Sequence, residues 1–423
     1  MDSHFSNVEP NIAPAFVQPT CPSFHDSRAL SNSANANPVG ALVIGGDYQG
    51  LGVVRSLGLQ GVPVGILDDE LSIARFSRYA TFSERVSSLR DPDEAVRRIL
   101  EVGTKRELKG WVLFPTRDET VAAISRHRDE LSKFFRVPTP GWQTVESLWD
   151  KRKTYTLAEC LGIPVPRTWY PTSEKDLAEI VGHFPVAIKP AIKEHFVYET
   201  GAKAMRADNL SQLHELYQRV VRFMPANEIM IQDIVPGGGD SQYAFCSLFK
   251  KGRSMATMMT CRRRQHPLEF GRSSTYVESV ELPLLEKYSE EFLRAIDYYG
   301  LVELEYKYDS RDGQYRLLDV NGRTWGYHTI GRSAGVDYPY ILFEDQLDRP
   351  SEPVRGKAGI RWIRLVTDLP TGLIGIAGRK IPLKSYLRSL RDFDEEAVFS
   401  RRDPIPGFAE IALIPYLAIR RGF

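Results

Sequence analysis

Short apolar runs, glycine turns and amphipathic stretches alternate along the chain from about residue 40. Ala41-Leu42-Val43-Ile44 is an unbroken apolar run, as a strand buried on both faces of a parallel sheet requires. It leads into Gly45-Gly46-Asp47-Tyr48-Gln49-Gly50-Leu51-Gly52, a helical stretch through Arg55 to Leu59, a stop at Gly61 and a second strand over Val62 to Asp68. Glycines after a strand permit a tight turn and bring backbone N–H groups close to a ligand at a helix N-terminus. Their spacing departs from the dinucleotide pattern G-x-G-x-x-G, so the turn points to a βαβ unit rather than to an NAD site. Trp111 to Pro115 predicts another strand, with Thr116 as the cap of the next helix and Asp118 and Glu119 in its first turn. The alternation predicts a Rossmann-like α/β domain over residues 40–145.

The next two hundred residues hold the candidate chemistry. A helix is predicted from Asp150-Lys151-Arg152-Lys153 to Leu161, with Leu157, Ala158 and Leu161 as its apolar stripe. Cations in a first turn oppose the helix dipole, so they call for another partner such as phosphate. Lys189 ends the apolar strand Val186-Ala187-Ile188 and is costly to bury unless it meets an anion. Ile229 to Val235 is a further strand, running into Pro236 and Gly237-Gly238-Gly239-Asp240; its amides suit a flat base and its carboxylate a ribose.

Val302, Leu304 and Tyr306 alternate with Glu303, Glu305 and Lys307, while Leu318 and Val320 alternate with Asp319, Asn321 and Arg323. Ser310-Arg311-Asp312-Gly313 lies between them as a turn. A three-residue loop would set Glu305 opposite Asp319 and Glu303 opposite Asn321; a two-residue turn would stagger them. Facing carboxylates with an amide suit Mg²⁺, which completes its shell with phosphate and water, and Arg323 can grip an anion through two hydrogen bonds. In the basic cluster Arg262-Arg263-Arg264-Gln265-His266, Arg262 and Arg264 are expected to share a strand face over the same site.

Composition narrows the partners. Lys and Arg number 55 against 54 Asp and Glu among 423 residues, so no basic excess exists to hold a nucleic acid. With 42% hydrophobic and 26% charged residues the chain has an ordinary globular balance. It has no apolar run near the roughly 18–20 residues of a membrane span. Cys21, Cys160, Cys246 and Cys261 are scattered without metal or redox spacing, which suits thiols of a reducing, cytoplasmic compartment. Residues 1–39, rich in Ser, Asn, Pro and Ala, read as a disordered tail with neither periodicity nor signal-peptide pattern.

In order and spacing, Asp150-Lys151, Ile163-Pro164-Val165-Pro166, Ala187-Ile188-Lys189-Pro190, Ile231-Gln232-Asp233-Ile234-Val235-Pro236-Gly237, Glu303-Leu304-Glu305-Tyr306-Lys307 and Asp319-Val320-Asn321-Gly322-Arg323 resemble the ATP-grasp superfamily. More narrowly, Lys189 to Phe196, Arg262 to Arg272 and Asp319 to His328 look like the bacterial predicted carboxylate–amine ligases within it. The resemblance implies an ATP-grasp fold, α+β in the grasp unit over 146–350, behind the α/β domain, with 351–423 as a C-terminal extension packed on the body. It implies that Lys151 and Lys189 contact ATP phosphates, that Gln232, Asp233 and Val235 hold adenine largely through backbone, and that Asp240 takes the ribose. Glu305, Asp319 and Asn321 would bind one or two Mg²⁺, with Mn²⁺ an alternative. Arg323, Arg264 and Lys189 would act on the reacting phosphoryl group. Asp319 in place of the usual Glu, Asp233 at a hinge position that often carries Glu, and N-G-R for N-P-R are this chain's departures. The implied reaction joins a small-molecule carboxylate to an amine through an acyl phosphate. A kinase, a thiol ligase and a nucleotide-binding regulator without turnover remain as alternatives, and the oligomeric state, homo-oligomer or monomer, stays open.

At the C-terminus, Gly359 to Leu365 predicts a strand, Leu383 to Leu390 a helix, and Phe408 to Ile419 an apolar helix that Pro415 should kink or break.

Overall fold

The computed structural model describes residues 38–421 except 193–195, 197–198 and 350. The tail expected over 1–39 therefore lies outside the described residues as far as residue 37, as do Lys193, Glu194 and His195.

Three sheets organise the chain. The first is parallel: β1 (Ala41–Ile44), β2 (Val64–Asp68), β3 (Phe82–Arg85) and β4 (Val112–Pro115), in the order β3-β2-β1-β4. Every residue of β1, β2 and β4 is buried, which explains their unbroken apolar runs. Asp47 caps the helix Tyr48–Leu59 by accepting from the Gln49 N–H. Gly52 serves packing, since a Cβ there would stand 2.7 Å from the His328 ring. Thr116 departs from its expected role as a cap. Its hydroxyl donates to the Ile44 and Gly45 carbonyls at 3.0 and 3.1 Å, and Arg117 occupies the cap position of helix Asp118–Arg126.

The second sheet is antiparallel: β5 (Thr168–Trp169), β6 (Val186–Pro190), β7 (Met205–Ala207) and β8 (Ile229–Asp233), in the order β5-β8-β6-β7. Ile188 and Ile231 pack with Leu213, Tyr217 and Val220 of helix Leu210–Val220, leaving the other face for Lys189 and Gln232.

The third sheet comprises β9 (Gln242–Lys250), β10 (Arg253–His266), β11 (Ser273–Val280), β12 (Gly300–Asp309), β13 (Gln314–Asn321), β14 (Val354–Arg355), β15 (Arg361–Ile363) and β16 (Glu395–Glu396). Its main order is β13-β12-β9-β10-β11-β15-β16, with β14 beside β10. One core cluster runs from Val43 and Phe114 of the first sheet through Trp325 and Tyr338 to Val277 and Trp362 of the third.

The hairpin β12–β13 reaches the expected pairing by a different route. Its loop, residues 310–313, has four residues and pairs Asp309 with Gln314 and Tyr306 with Leu317, which is the staggered register. A bulge at Leu318 then adds one residue, so Glu305 faces Asp319 and Glu303 faces Asn321. The bulge also turns Leu317 into the core and Leu318 toward the cavity, reversing the simple alternation read from sequence.

A second irregularity lies in the basic cluster. The β10–β11 register shifts on both sides of Arg264, and Arg262 and Arg264 reach different partners although both line one cavity. Arg262 turns to Glu305 and Arg264 to Asp368.

In the C-terminal extension the expected strand shortens to β15, and Leu365 already begins a helix, Leu365–Ala377, that runs through Pro370. The last helix, Ile405–Arg421, likewise continues through Pro415, so no break occurs there. Among the described residues no helix is long and apolar enough to cross a membrane. Cys160, Cys246 and Cys261 are free thiols.

Candidate active site

Between the second and third sheets lies a cavity of about 550 Å³. Lys189 and Gln232 enter it from β6 and β8, Ile234 to Asp240 form one rim, and Glu305, Leu318 and Asp319 come from the hairpin. Lys151, Arg262 and Arg264 also line it. Asn321, Arg323 and Glu303, all singled out in the sequence, stand back from the cavity wall, next to residues that form it.

The wall is a linked set of charges. Lys189 Nζ donates to the Tyr155 hydroxyl at 3.1 Å and to the Gln232 side-chain carbonyl at 2.6 Å. Gln232 in turn donates to Thr168 Oγ1 at 2.9 Å, and Tyr155 donates to the Leu318 carbonyl at 2.9 Å. Gln232 therefore orients Lys189 with its side chain, a role the sequence does not announce. Burial pushes the Tyr155 phenol up, but the Lys189 and Lys151 ammoniums outweigh it and hold its pKa below the ordinary value.

Lys151, first residue of helix Lys151–Cys160, is ion-paired with Asp319. Arg152 pairs with Asp150 at 2.6 Å and Lys153 with Glu146 at 2.6 Å. The dipole penalty on such cations is about 0.3–1 kcal/mol. An ion pair with side chains only 9% and 12% exposed outweighs that, because breaking one strands a charge at a cost of several kcal/mol.

The carboxylate face is equally tied. Arg262 meets Glu305 at 3.0 Å and donates to Gln242 Oε1 at 2.9 Å. Asn321 Nδ2 donates to Glu303 at 3.1 Å and Glu305 at 3.2 Å, and Tyr327 donates to Glu303 at 2.5 Å. Burial first, then the Glu305 carboxylate, push the Glu303 pKa up to about 7. Glu303 thus sits behind the site and orients Asn321. Arg323 makes two hydrogen bonds to Asp118, at 2.7 and 3.0 Å, and approaches Asn321 Oδ1 at 3.4 Å. Burial disfavours its charge, yet Asp118 more than compensates and raises its pKa. Asp118 begins helix Asp118–Arg126, which follows β4 of the first sheet, so this pair ties that helix to the hairpin.

On the rim, Asp233 receives Arg311 at 2.7 Å, and Lys307 donates to the Gly237 carbonyl at 2.8 Å. The Asp240 carbonyl accepts from Cys261 Sγ at 3.4 Å. Val235 is buried beside them. Arg264 is held by two 2.9 Å bonds to Asp368 between the rings of Tyr276 and Tyr386, 4.4 and 5.0 Å from its guanidinium carbon. His266 Nδ1 lies 2.9 Å from Thr371 Oγ1, and His328 is buried against the Trp325 carbonyl at 2.9 Å.

Sequence reasoning missed Tyr155, the direct contact of Arg262 with Glu305, and Leu318 as a cavity residue. Arg262 carried a signal, since it belongs to the densest basic cluster; Tyr155 and Leu318 carried none, being read as helix and core.

A cavity of nucleotide size between an antiparallel and a mainly antiparallel sheet, in a chain that also carries a parallel sheet, defines a class of fold, and comparison with known proteins agrees. No family model matches the chain. In sequence it is similar to the D-aspartate ligase of Enterococcus faecium (strain Aus0004), 24% identical over 340 residues, 75% of this chain and 79% of that one. In structure it is similar to the L-amino acid ligase from Bacillus licheniformis at 15% identity and TM-score 0.58, over 75% of this chain and 76% of that one. The biotin carboxylase of Campylobacter jejuni, in a β-γ-ATP complex, superposes with TM-score 0.61 at 15% identity, over 76% of this chain and 74% of its own. The fold is ATP-grasp. Within that fold, the chain resembles carboxylate–amine ligases in sequence and structure.

Proposed function

We propose that this protein is an ATP- and Mg²⁺-dependent ligase that joins a small-molecule carboxylate to an amine, with release of ADP and phosphate. The observation that carries the reading is the pairing of Glu305 with Asp319 at the cavity wall, beside Asn321 and facing Lys189. Likeness to a D-aspartate ligase and an L-amino acid ligase supports amide formation and makes an amino acid the first substrate class to try.

The donor chemistry fits magnesium. Among the described residues no group of three His, Cys, Asp or Glu stands ready to cage an ion. Two carboxylates and an amide oxygen suit a hard cation that retains phosphate and water. Glu305, Asp319 and Asn321 would hold one or two such ions, Mn²⁺ being accommodated by the same oxygens, and the metal supplies charge neutralisation on the phosphates. Lys189 and Lys151 would bind phosphate oxygens. Ile234 and Val235 would offer backbone and apolar contact to the base, with Leu318 opposite, and Asp233 and Asp240 would mark the hinge and ribose ends. Arg323, positioned by Asp118, and Arg264 would orient the acyl substrate. On this reading residues 40–145 form the pre-ATP-grasp domain, 146–350 the grasp unit and 351–423 a packed extension.

The substrate carboxylate oxygen attacks the γ-phosphorus and ADP departs, giving an acyl phosphate. The amine nitrogen then attacks the acyl carbon, phosphate leaves and a proton is lost to solvent. The side chains act by positioning and electrostatics and need not form a covalent bond. An ADP-release screen of amino acids and other carboxylates crossed with amines tests the proposal. Amide product with ADP and phosphate is expected, and Asp319→Ala should abolish it. A stable phosphorylated product would indicate a kinase, and normal turnover by Asp319→Ala would refute the metal site.

A further inference from the structure

Two helices of the C-terminal extension expose a surface that neither the cavity nor the core explains. Helix Leu365–Ala377 turns Asp368, Thr371, Gly372 and Gly375 inward, with Gly372 against the Tyr386 ring and Gly375 against Ile381. At about 100° per residue, the opposite side carries Leu369, Pro370, Leu373, Ile374 and Ala377, with no polar residue between them. Leu369 is 44% exposed, Leu373 65% and Ile374 60%. Helix Leu383–Ser389 packs against it through buried Tyr386, and exposes Leu383 and Leu387 on one flank, Lys384 and Arg388 on the other. From Leu369 to Arg391 the chain holds five cations, Arg379, Lys380, Lys384, Arg388 and Arg391, all exposed, and no acid. Single exposed leucines need no explanation, whereas five large aliphatic side chains on two packed helices amount to a patch.

We infer that this helical hairpin docks on an anionic lipid surface. The charge pattern selects the occupant. A second copy of the chain, related by a twofold axis, would bring five cations against five and repel itself. An anionic bilayer offers hydrocarbon for the apolar faces and headgroup charge for the basic flank, the requirement of helices that lie in the interface plane. Neither helix is long enough to span the bilayer, so the attachment is peripheral and reversible. Lys380 and Ile381, in the loop between the helices, also line the cavity, so docking sets the cavity rim beside the lipid headgroups. Lys380 is 3.8 Å from Glu269, which leaves the other four cations to carry most of the attraction.

The test is sedimentation of the full chain with vesicles of phosphatidylcholine, with and without about one third phosphatidylglycerol, at low and high salt. Binding to the anionic vesicles is expected, with loss on pure phosphatidylcholine and weakening in high salt. Leu373→Asp with Ile374→Asp, and separately Lys384→Glu with Arg388→Glu, should each lower the partition coefficient at least about tenfold. Their thermal midpoints should match the parent, because the altered side chains are exposed. Val181→Asp, 60% exposed on the second-sheet module, should leave binding unchanged. Failure to sediment with anionic vesicles, or binding indifferent to both double variants, overturns the inference. So does light scattering that gives two chains for the parent and one for Leu373→Asp/Ile374→Asp, which would make the patch a dimer seam.

Discussion

Among the described residues, Lys189 is held by two neutral oxygens, those of Tyr155 and Gln232, contacts that orient the ammonium without neutralising it. Lys189→Met should therefore lower kcat/KM for ATP by about a hundredfold or more while leaving the melting temperature nearly unchanged, as steady-state kinetics and calorimetry would show. His328 makes a different prediction. Burial lowers its pKa from 6.5 to about 4, so the unfolded chain binds a proton between those values and the folded one does not. Stability carried by the neutral ring is then present above pH 6.5 and lost as the pH falls toward 4, about 2 kcal/mol of it by pH 5. Thermal melts from pH 7 to 5 should fall more steeply for the parent than for His328→Phe; parallel slopes would show that the ring does not titrate in this way. At this scale the sequence revealed residue type but not contact. The cost of burying a lysine on a strand pointed to Lys189, whereas nothing local marked Tyr155, whose phenol matters only because the fold puts Lys189, Lys151 and the Leu318 carbonyl around it.

Bulges decide what the strands present. Strand alternation alone assigned Leu318 to the core with Val320, and the inserted residue instead turns it to the cavity while Leu317 takes the core position. Leu318→Ala should consequently raise KM for ATP about three- to tenfold with little loss of stability, whereas Leu317→Ala should destabilise by about 2–5 kcal/mol. Comparable effects of the two on melting would contradict the observed register. Period-2 patterns located β12 and β13 and left two registers open, Glu305 opposite Asp319 or staggered; the hairpin uses both in turn, because a bulge, which leaves no compositional mark, separates them. The same holds at Arg264, where shifts on either side of one residue accompany different partners for Arg262 and Arg264, Glu305 and Asp368. The helix through Pro415 shows the converse error, a strong local rule that helical flanks override.

Across the whole molecule, the first sheet and its helices reach the site through the Arg323–Asp118 pair and the shared core. Asp118→Asn should keep ATP affinity but lower turnover, because Arg323 loses its anchor while the cavity wall stays intact; equal losses in both would place Asp118 in nucleotide binding. The alternation of strands and helices made the first sheet readable, and toward the C-terminus helices Leu383–Ser389 and Ile405–Arg421 were legible too. Helix Leu365–Ala377 was not, because its apolar side faces outward, which inverts the rule by which a helix is recognised as packed. The ion pairs of Lys151 with Asp319 and of Arg262 with Glu305 have a consequence for how the cavity fills. A triphosphate arriving by itself meets two carboxylates that repel it, and a divalent ion arriving by itself meets two cations that do the same. Only the two together exchange every partner for a better one, so the wall computes a logical conjunction: calorimetry should find each ligand weak singly and the pair tight.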